Sequence, residues 1–413
     1  MLHAFAPGRA LRSSEIETAL RPALESLDVR GKRLLLVVPD ATRTLPLPSI
    51  FPILRDALAP RVRELRVLVA LGTHPPMGQA ALWEHLGLRS DPRGVTIIQH
   101  RWDDPASLGD CGQLPRADVA VLSKGLIDEP IHVRVNREVL ECDASILVGP
   151  VYPHELIGFS GGHKYLFPGV SGPEMVDYTH WLGSLIGNLA INGHRDTPPR
   201  AVIEQAARLV PGQRHALCLV MKGHELRGLY LGDVLDAWHR AVELSADLNI
   251  VRVPRAYHTV VACVPPRYED LWTGSKCMTK LEPVVADGGK LILYGPHIRS
   301  PAVSYAGGGW HERVGYHVRD YILAHRDRYA DVPLAVLADL VQLPGEGTYR
   351  DGVERTRIKV VVSTAIPAET CRRINLEYAD PTTVDLAELE GREHEGFLVV
   401  RESGEILYRL AGA

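Results

Sequence analysis

The 413-residue sequence lacks the features that mark nucleic-acid-binding, secreted and membrane proteins. A formal net charge of −4, without basic runs, gives no electrostatic basis for binding nucleic acid. The six cysteines are widely spaced and form no Cys-x-x-Cys pair, which predicts thiols in a reducing compartment instead of a disulfide framework or a zinc ribbon. The N-terminus lacks the apolar core of a signal peptide, and no apolar run is long enough to span a membrane. We therefore expect a cytoplasmic protein with neither nucleic-acid nor membrane partners.

Signatures of common enzyme classes are also missing. The sequence has no Gly-x4-Gly-Lys-Ser/Thr phosphate loop and no Gly-x-Gly-x-x-Gly dinucleotide fingerprint. We do not interpret the GFSGG segment at residues 158–162 as the nucleophile elbow of a serine hydrolase. Phosphoryl transfer, ordinary NAD chemistry and serine hydrolysis are therefore not expected.

Short apolar, β-branched runs alternate with amphipathic stretches, a pattern typical of α/β proteins with mainly parallel sheets. We predict helices at residues 13–27 and 49–62, and strands at residues 33–40, 64–74, 94–100, 117–125, 144–150, 258–266, 290–296, 333–340 and 358–364. The two series of strands predict two α/β domains: an N-terminal cofactor-binding domain over residues 1–255 and a C-terminal domain over residues 256–413. Ligands of open α/β sheets bind beyond the carboxyl ends of strands, so we expect the active site in a cleft between the domains.

Polar residues follow several of the predicted strands. Asp40 and Arg43 lie in a proline-bounded turn, where the guanidinium group could bind a carboxylate or phosphate, or simply pair with Asp40. His74 follows the next strand and precedes two prolines that stiffen the chain, and a lone histidine in such a place is more often structural. Lys276, at the predicted start of a helix, could bind a substrate carboxylate or be a solvated helix residue.

A glycine-rich segment, YPHELIGFSGGHKYLFPG at residues 152–169, carries a single lysine. Glycines let a backbone approach a ligand closely, so Lys164 is either a surface charge or a group held against a ligand. His154 before it and His180 after it suggest a metal or cofactor site, although the segment lacks the i,i+4 pair of a zinc motif. Lysine can also carry a cofactor covalently. We interpret His163 as a loop or surface residue.

The order and spacing of these groups resemble the nickel-pincer lactate racemase family, the racemases and epimerases of 2-hydroxy acids. The shared pattern is Asp-x-x-Arg from residue 40, Gly-Thr-His at residues 72–74, His-x9-Lys-x15-His from residue 154 with SGG-x-K-x3-PG inside it, and a lysine three residues after Thr273. Each motif is weak by itself, whereas their joint order is specific. The resemblance covers most of the chain and implies an isomerase that acts on lactate or a larger 2-hydroxy acid.

The resemblance also implies a cofactor. It is a nickel-pincer nucleotide, the nickel complex of pyridinium-3-thioamide-5-thiocarboxylic acid mononucleotide, covalently attached at Lys164. His180 is the implied protein ligand of nickel, because two sulfurs, a ring carbon and an imidazole form the square-planar set that Ni(II) accepts. Asp40 is an implied support residue at the cofactor, and Thr42 and Thr73 are candidates for contacts with its phosphate. Proteins that synthesise the cofactor and insert nickel are the implied partners.

By the same resemblance, His74 and His154 are a paired acid and base. Hydride leaves the substrate α carbon for the pyridinium ring while a base takes the hydroxyl proton, and return of the hydride to the other face inverts the configuration. Histidine suits this exchange because its pKa lies near neutral pH. Arg43 and Lys276 are implied as a clamp that orients the substrate carboxylate.

One stretch departs from the family pattern. Trp272 and Thr273 stand where the family has Tyr-Gln, close to the substrate. A threonine shortens that contact and a tryptophan reshapes the adjoining wall, which leaves lactate, longer aliphatic or aromatic 2-hydroxy acids, malate and sugar acids open as substrates. Two other hypotheses are a non-catalytic small-anion or nucleotide-binding protein of the same fold, and a zinc or other metal hydrolase. No carboxylate-bearing ligand motif supports the hydrolase.

Overall fold

The computed structural model describes residues 2–90, 92–303 and 309–412. By their internal packing the residues divide into two compact units. The first unit consists of Met1–Tyr152, Phe159–Thr179 and Pro198–Leu248, and the second of Pro153–Gly158, His180–Thr197 and Asn249–Ala413. Two short segments from the first half of the sequence thus belong to the unit that contains the C-terminal residues. The assignment of domains to residues 1–255 and 256–413 stays a prediction.

The strands of the described residues are, in chain order, β1 (Leu2–Phe5), β2 (Arg33–Pro39), β3 (Glu64–Ala70), β4 (Val95–Gln99), β5 (Leu108–Leu114), β6 (Ile131–Asn136), β7 (Ala144–Pro150), β8 (Pro153–His154), β9 (Gly158–Phe159), β10 (Gln213–Lys222), β11 (Glu225–Gly232), β12 (Ile250–Val253), β13 (Tyr257–Cys263), β14 (Val285–Gly295), β15 (Gly347–Arg350), β16 (Val353–Thr356), β17 (Lys359–Thr364), β18 (Glu377–Tyr378), β19 (Phe397–Val400) and β20 (Leu407–Leu410).

The α-helices are α1 (Ser13–Glu25), α2 (Leu47–Leu58), α3 (Gln79–His85), α4 (Arg116–Leu122), α5 (Arg137–Glu141), α6 (Pro173–Ile186), α7 (Asn188–Ile191), α8 (Pro198–Ala207), α9 (Val234–Asn249), α10 (Leu271–Leu281), α11 (Trp310–Val314), α12 (Arg319–Ala324), α13 (Leu334–Leu340), α14 (Ala368–Arg373) and α15 (Leu386–Leu389). Short 3₁₀ turns include Gly162–Tyr165 and Glu282–Val284. Among the described helices, none combines the length and the apolar character needed to cross a bilayer.

A seven-stranded sheet forms the centre of the first unit, in the order β1-β11-β10-β7-β2-β3-β4. The strands from β10 to β4 are parallel, whereas β11 runs antiparallel to both β10 and β1. Apolar residues fill nearly all of β2, and they are buried as expected for a strand covered on both faces. Leu20 of α1, Leu36 of β2 and Phe51 of α2 belong to one core cluster.

The polar turns of the first unit lie at one edge of this sheet. The register pairs Pro39 at the end of β2 with Ala70 at the end of β3, so the turns that follow these strands are neighbours. The N–H of Gly72 donates to the carbonyl oxygen of Gly169 at 2.9 Å, which ties the turn after β3 to the glycine-rich segment. Three of the predicted motifs therefore lie close together at this edge of the sheet: the turn after β2, the turn after β3 and the glycine-rich segment.

A parallel five-stranded sheet, in the order β18-β17-β14-β13-β19, forms the centre of the second unit. Helix α10 packs against β13 and β14 and begins after Asp270, whose carboxylate caps the helix. The predicted α/β class with mainly parallel sheets is confirmed in both units.

Two predicted strands are wrong. Residues 117–125 lie largely in α4 and residues 333–340 largely in α13, and each helix begins directly after a proline, Pro115 and Pro333. A short apolar run has no periodicity that separates a buried strand from a helix, and a preceding proline favours a helix start. The sequence analysis also missed β10 and β11.

Candidate functional site

A carboxylate–histidine pair lies at the carboxyl edge of the first unit's sheet. His74 Nδ1 donates to Asp40 Oδ2 at 2.5 Å. Thr42 Oγ1 donates to Asp40 Oδ1 at 2.6 Å and accepts from Arg43 Nη1 at 2.9 Å. Because an ionised carboxylate can only accept, Nδ1 of His74 carries a proton, and Nε2 is the position at which the ring can gain or lose one. The arrangement prepares His74 to accept a proton at Nε2.

Asp40 is ionised despite being buried. Burial raises the pKa of its carboxyl group, but the charges of His74 and Arg43 and the hydrogen bonds from His74 and Thr42 outweigh burial and hold this pKa well below its usual value. The contacts of Asp40 with His74 orient that ring, and its predicted place at the cofactor stays a prediction. The sequence did contain a signal for the contact between Asp40 and His74, because both residues follow predicted parallel strands. Thr73 lies half-buried in the same turn as His74.

Lys164 lies half-buried in the 3₁₀ turn Gly162–Tyr165. Gly161 and Gly162 before it have φ angles of +85° and +59°, which glycine adopts without strain. A Cβ atom at Gly161 would lie 2.5 Å from Val151 Cγ2, and one at Gly162 would lie 3.1 Å from the Trp238 ring. The close approach that we expected towards a ligand is therefore made towards the protein core. These glycines let the loop pack tightly and so define the backbone position of Lys164.

The turn of Lys164 lies at the same sheet edge as the Asp40 pair. Tyr165 packs on Gly149 of β7, where a Cβ atom would collide with its ring. Burial raises the pKa of the Tyr165 hydroxyl, on which the charges of Arg43 and Asp40 also act. The turn of Lys164 comes after β7 in the chain and lies near the turn that follows β2.

Residues 158–162 do have the Gly-x-Ser-x-Gly spacing of a nucleophile elbow, but Ser160 is a structural residue. Its Oγ donates to the carbonyl oxygen of Pro150 at 3.0 Å and accepts from the N–H of Tyr152 at 2.8 Å. The interpretation of His163 as a surface residue is wrong, because the ring is buried and its Nδ1 donates to Glu204 Oε2 at 2.5 Å. The contacts of Ser160 and His163 therefore do not support hydrolysis at this segment.

In the second unit, His154 lies beside a buried ion pair. Glu155 Oε2 and Lys280 Nζ are 3.0 Å apart, with side chains 5% and 1% exposed. Burial raises the pKa of the Glu155 carboxyl group, but the charges of His154, Lys280 and Lys276 hold it well below the usual value. The second unit thus brings His154 and Lys276, predicted as base and substrate clamp, around one ionised carboxylate. Sequence analysis missed Glu155 and Lys280.

The hydrogen bonding of His154 differs from that of His74. The N–H of Leu156 donates to His154 Nδ1 at 3.2 Å. A ring nitrogen that accepts carries no proton, so the neutral ring of His154 holds its proton on Nε2. The neutral ring thus presents a hydrogen-bond donor at Nε2, and Glu155 Oε2, 3.9 Å from Nδ1, balances the charge of the ring when both nitrogens are protonated.

The start of α10 carries the residues that depart from the family pattern. Asp270 Oδ1 accepts from the N–H of Thr273 at 2.9 Å and from its Oγ1 at 2.6 Å. The hydroxyl proton of Thr273 is thus used to cap the helix. Trp272 meets His311 edge to face, with ring centroids 6.3 Å apart. Lys276 Nζ lies 5.7 Å from the ring centroid of Tyr268, within the range of a cation–π contact.

A second buried acid was not found from the sequence. Asp339 Oδ2 is 3.4 Å from His311 Nε2, and both side chains are 5% exposed. Burial raises the pKa of Asp339 to about 6, against the opposing effects of His311 and Lys276. The wall next to Trp272 therefore contains a titratable pair.

His180 lies half-buried on α6. In the described ranges of the chain, no three His, Cys, Asp or Glu side chains are grouped as a metal site. A single imidazole such as that of His180 would suit a pincer with two sulfurs and a ring carbon, since such a group needs one further donor to complete four-coordinate nickel.

Comparison with known sequences gives a consistent result. Residues 4–190 match the family model of the lactate racemase N-terminal domain. The lactate racemase of Lactiplantibacillus plantarum is 26% identical over 285 residues, which is 65% of this chain and 61% of that protein. The lactate racemase of Thermoanaerobacterium thermosaccharolyticum is 21% identical over 276 residues, with the same coverage of 65% and 61%. The chain spans about three fifths of the length of these curated relatives.

Solved structures extend the comparison to the whole chain. A crystal structure of a Thermotoga maritima protein matches with a TM-score of 0.90 and 29% identity, over 98% of this chain and 100% of that one. The apoprotein of the T. thermosaccharolyticum lactate racemase matches in fold with a TM-score of 0.71 and 18% identity, over 97% and 94%. The motifs, the family model and the fold agree, and the chain is related to the lactate racemase family through a lactate racemase N-terminal domain at residues 4–190.

Proposed function

We propose that the protein is a racemase or epimerase of a 2-hydroxy acid. The observation that carries the proposal is the 2.5 Å hydrogen bond from His74 Nδ1 to ionised Asp40, at the sheet edge next to the turn of Lys164. This pairing leaves His74 Nε2 as a proton acceptor and gives the charged ring a stabilising carboxylate. A protein that only bound an anion would gain nothing from such a base.

The two histidines have complementary roles in the proposal. His74 takes the substrate hydroxyl proton at Nε2, and the charge of Asp40 stabilises the imidazolium that results. His154 serves as the acid in its doubly protonated form, whose charge ionised Glu155 balances, and the neutral ring that remains after it gives up this proton is the base when the opposite enantiomer reacts. Two groups with opposite starting protonation suit a reaction that must run in both directions.

The residues that would hold the cofactor are Lys164 and His180. Lys164 would form the covalent attachment, and His180 would ligate nickel. Asp40, Thr42 and Thr73 remain the proposed neighbours of the nucleotide, with Asp40 acting mainly through His74. When bound, the nickel-pincer nucleotide would accept hydride from the substrate α carbon and return it. Proteins that make this cofactor and insert nickel are the proposed partners.

Arg43 and Lys276 would bind the substrate carboxylate. The guanidinium of Arg43 is anchored by Thr42, which limits its freedom and favours a defined orientation of the bound acid. Thr273 donates its hydroxyl proton to Asp270 and therefore has none for the substrate. With Trp272 beside it, this position favours a less polar substrate side chain than malate or a sugar acid.

The experiment uses protein produced together with cofactor-synthesis proteins. Single enantiomers of lactate, longer aliphatic and aromatic 2-hydroxy acids, malate and sugar acids are incubated with it, and the products are separated by chiral chromatography. We expect inversion of at least one less polar acid, together with nickel and a mass increase on the peptide of Lys164. Unmodified Lys164 without nickel, under conditions that load an active lactate racemase, would contradict the proposal.

A further inference from the structure

We propose that Arg200, with Glu204 and Trp238, is a clamp that positions the turn carrying Lys164. This inference rests on the proposed attachment of the cofactor to Lys164. All members of the clamp belong to the first unit, where Arg200 and Glu204 lie on α8 and Trp238 on α9. They are positioning residues, since they act on Lys164 through the backbone that precedes it.

The clamp holds three successive carbonyl groups. Arg200 donates from Nη2 to the carbonyl oxygen of Phe159 in a short hydrogen bond, and from Nη1 to that of Gly161 at 3.3 Å. Trp238 Nε1 donates to the carbonyl oxygen of Ser160, between them, at 2.8 Å. Side chains thus bind the carbonyl groups of the segment that immediately precedes the turn of Lys164.

The clamp is itself held in place. The Arg200 guanidinium carbon lies 4.1 Å from the centroid of the Trp238 ring, in a cation–π contact. Glu204 Oε1 is 3.3 Å from Arg200 Nη1, and Glu204 Oε2 accepts from His163, the residue next to Lys164. Arg200 is only 3% exposed. A buried guanidinium group needs hydrogen-bond partners, and the loop and Glu204 supply those of Nη1 and Nη2.

Ordinary core packing does not account for this arrangement. Gly161 and Gly162 have positive φ angles, so the chain leaves strand β9 here and enters the 3₁₀ turn, where the Gly161 carbonyl oxygen also accepts from the N–H of Lys164 at 3.3 Å. Apolar side chains would fill the same space without fixing the direction of these groups. Since a shift of about 1 Å in a reacting group has a large effect on chemistry, a directional clamp is suited to presenting the Lys164 amine.

The test compares Arg200→Met with Arg208→Met, an exposed arginine just beyond the same helix. Amide hydrogen exchange is measured on residues 159–167 of the cofactor-free protein, where Leu166 and Phe167 donate to the carbonyl oxygen of His163. The fraction of Lys164 that gains the cofactor mass is measured after production with the cofactor-synthesis proteins. Melting temperature and circular dichroism report the overall fold.

For Arg200→Met we expect exchange in this segment to rise by about tenfold or more, with the rest of the first unit little changed. The modified fraction of Lys164 should fall at least about fivefold, in proportion to the loss of the correct conformation. Arg200→Lys, which keeps the charge and one donor direction, should recover part of both effects. Arg208→Met should match the parent protein.

Unchanged exchange and full modification of Lys164 in Arg200→Met would overturn the clamp. If that variant does not fold, Trp238→Phe and Glu204→Gln decide. The first removes the bond to Ser160 and weakens the ring contact with Arg200, and the second weakens the contacts of Glu204 with Arg200 and His163. Unmodified Lys164 in the parent protein would instead refute the proposed function. The exchange measurement on cofactor-free protein would still decide whether the clamp orders the turn.

Discussion

The two proposed acid–base histidines, one in each unit, hold their protons on opposite ring nitrogens. His74 donates from Nδ1 to Asp40, so its Nε2 is a bare acceptor. His154 accepts at Nδ1 from the N–H of Leu156, so its Nε2 carries the proton. The charges behind them differ as well: Asp40 faces His74 directly, whereas Glu155 is shared among His154 and two lysines.

This difference suggests how one protein treats two enantiomers. A direct carboxylate partner stabilises the protonated ring of His74, so that taking the substrate proton is favourable at this ring. The backbone N–H next to His154 opposes a proton on Nδ1 and favours donation from Nε2. We therefore expect the resting protein to be set for the enantiomer whose hydroxyl group faces His74.

The largest effects should follow from removing either histidine. His74→Ala and His154→Ala should each reduce racemisation by about 10³-fold or more, within the range of general acid–base catalysis. Chiral chromatography gives the rates, and metal analysis should show nearly normal nickel, whereas His180→Ala should lose nickel. His224→Ala, at an exposed loop position, is the control. Normal racemisation by His74→Ala would contradict the proposed acid–base role of His74.

Breaking the buried ion pair behind His154 should destabilise the fold. Lys280→Met leaves Glu155 without its 3.0 Å partner and should lower the free energy of unfolding by about 3–5 kcal/mol. The double variant Glu155→Gln with Lys280→Met should recover much of this loss, because no buried charge is left unpaired. Urea denaturation checks both values, and additive losses in the double variant would argue against the pair.

The carboxylate behind His74 should affect rate more than stability. Asp40→Asn keeps the size of the side chain but removes the charge that stabilises the imidazolium, so kcat should fall by about 10²-fold with little change in KM. Nickel content and the mass of the Lys164 peptide should be unchanged. If Asp40→Asn instead failed to retain the cofactor, Asp40 would be a cofactor-binding residue, as the sequence analysis predicted.

The same variant should show a pH-dependent difference in stability. The folded-state pKa of Asp40 is held well below its value in the unfolded chain, so its charge stabilises the fold above about pH 4. This contribution is lost as the pH falls through the folded-state pKa. The difference in unfolding free energy between parent and Asp40→Asn should therefore be steady near neutral pH and shrink in acid. A difference that grows in acid would contradict the assignment.

The smallest effect concerns the start of α10. Thr273→Val removes the hydroxyl bond to Asp270 while the backbone N–H bond remains, so we expect a loss of about 1 kcal/mol in unfolding free energy. Substrate preference should change little, because the hydroxyl proton was already used within the helix cap. A marked change in preference among 2-hydroxy acids would show that Thr273 contacts the substrate.

Much of the first unit could be predicted because its strands are continuous apolar runs. The strands that end at Asp40, before His74 and before the glycine-rich segment were found at nearly their observed positions. Residues 117–125 and 333–340 were mistaken for strands because length and apolar content do not distinguish a short helix from a strand. The partners of the motifs were also missed, since Glu155, Lys280 and Arg200 have no local signal of their own.

The sequence by itself determined the α/β class, the order of the motifs and their resemblance to lactate racemases. These properties depend on local periodicity and on residues close together in the chain. Only the tertiary structure decided which group each histidine's Nδ1 contacts, and that the glycines before Lys164 pack on Val151 and Trp238. The reason is that protonation and loop geometry depend on burial and on hydrogen-bond partners, many of which lie tens of residues away and are joined only when the sheets assemble.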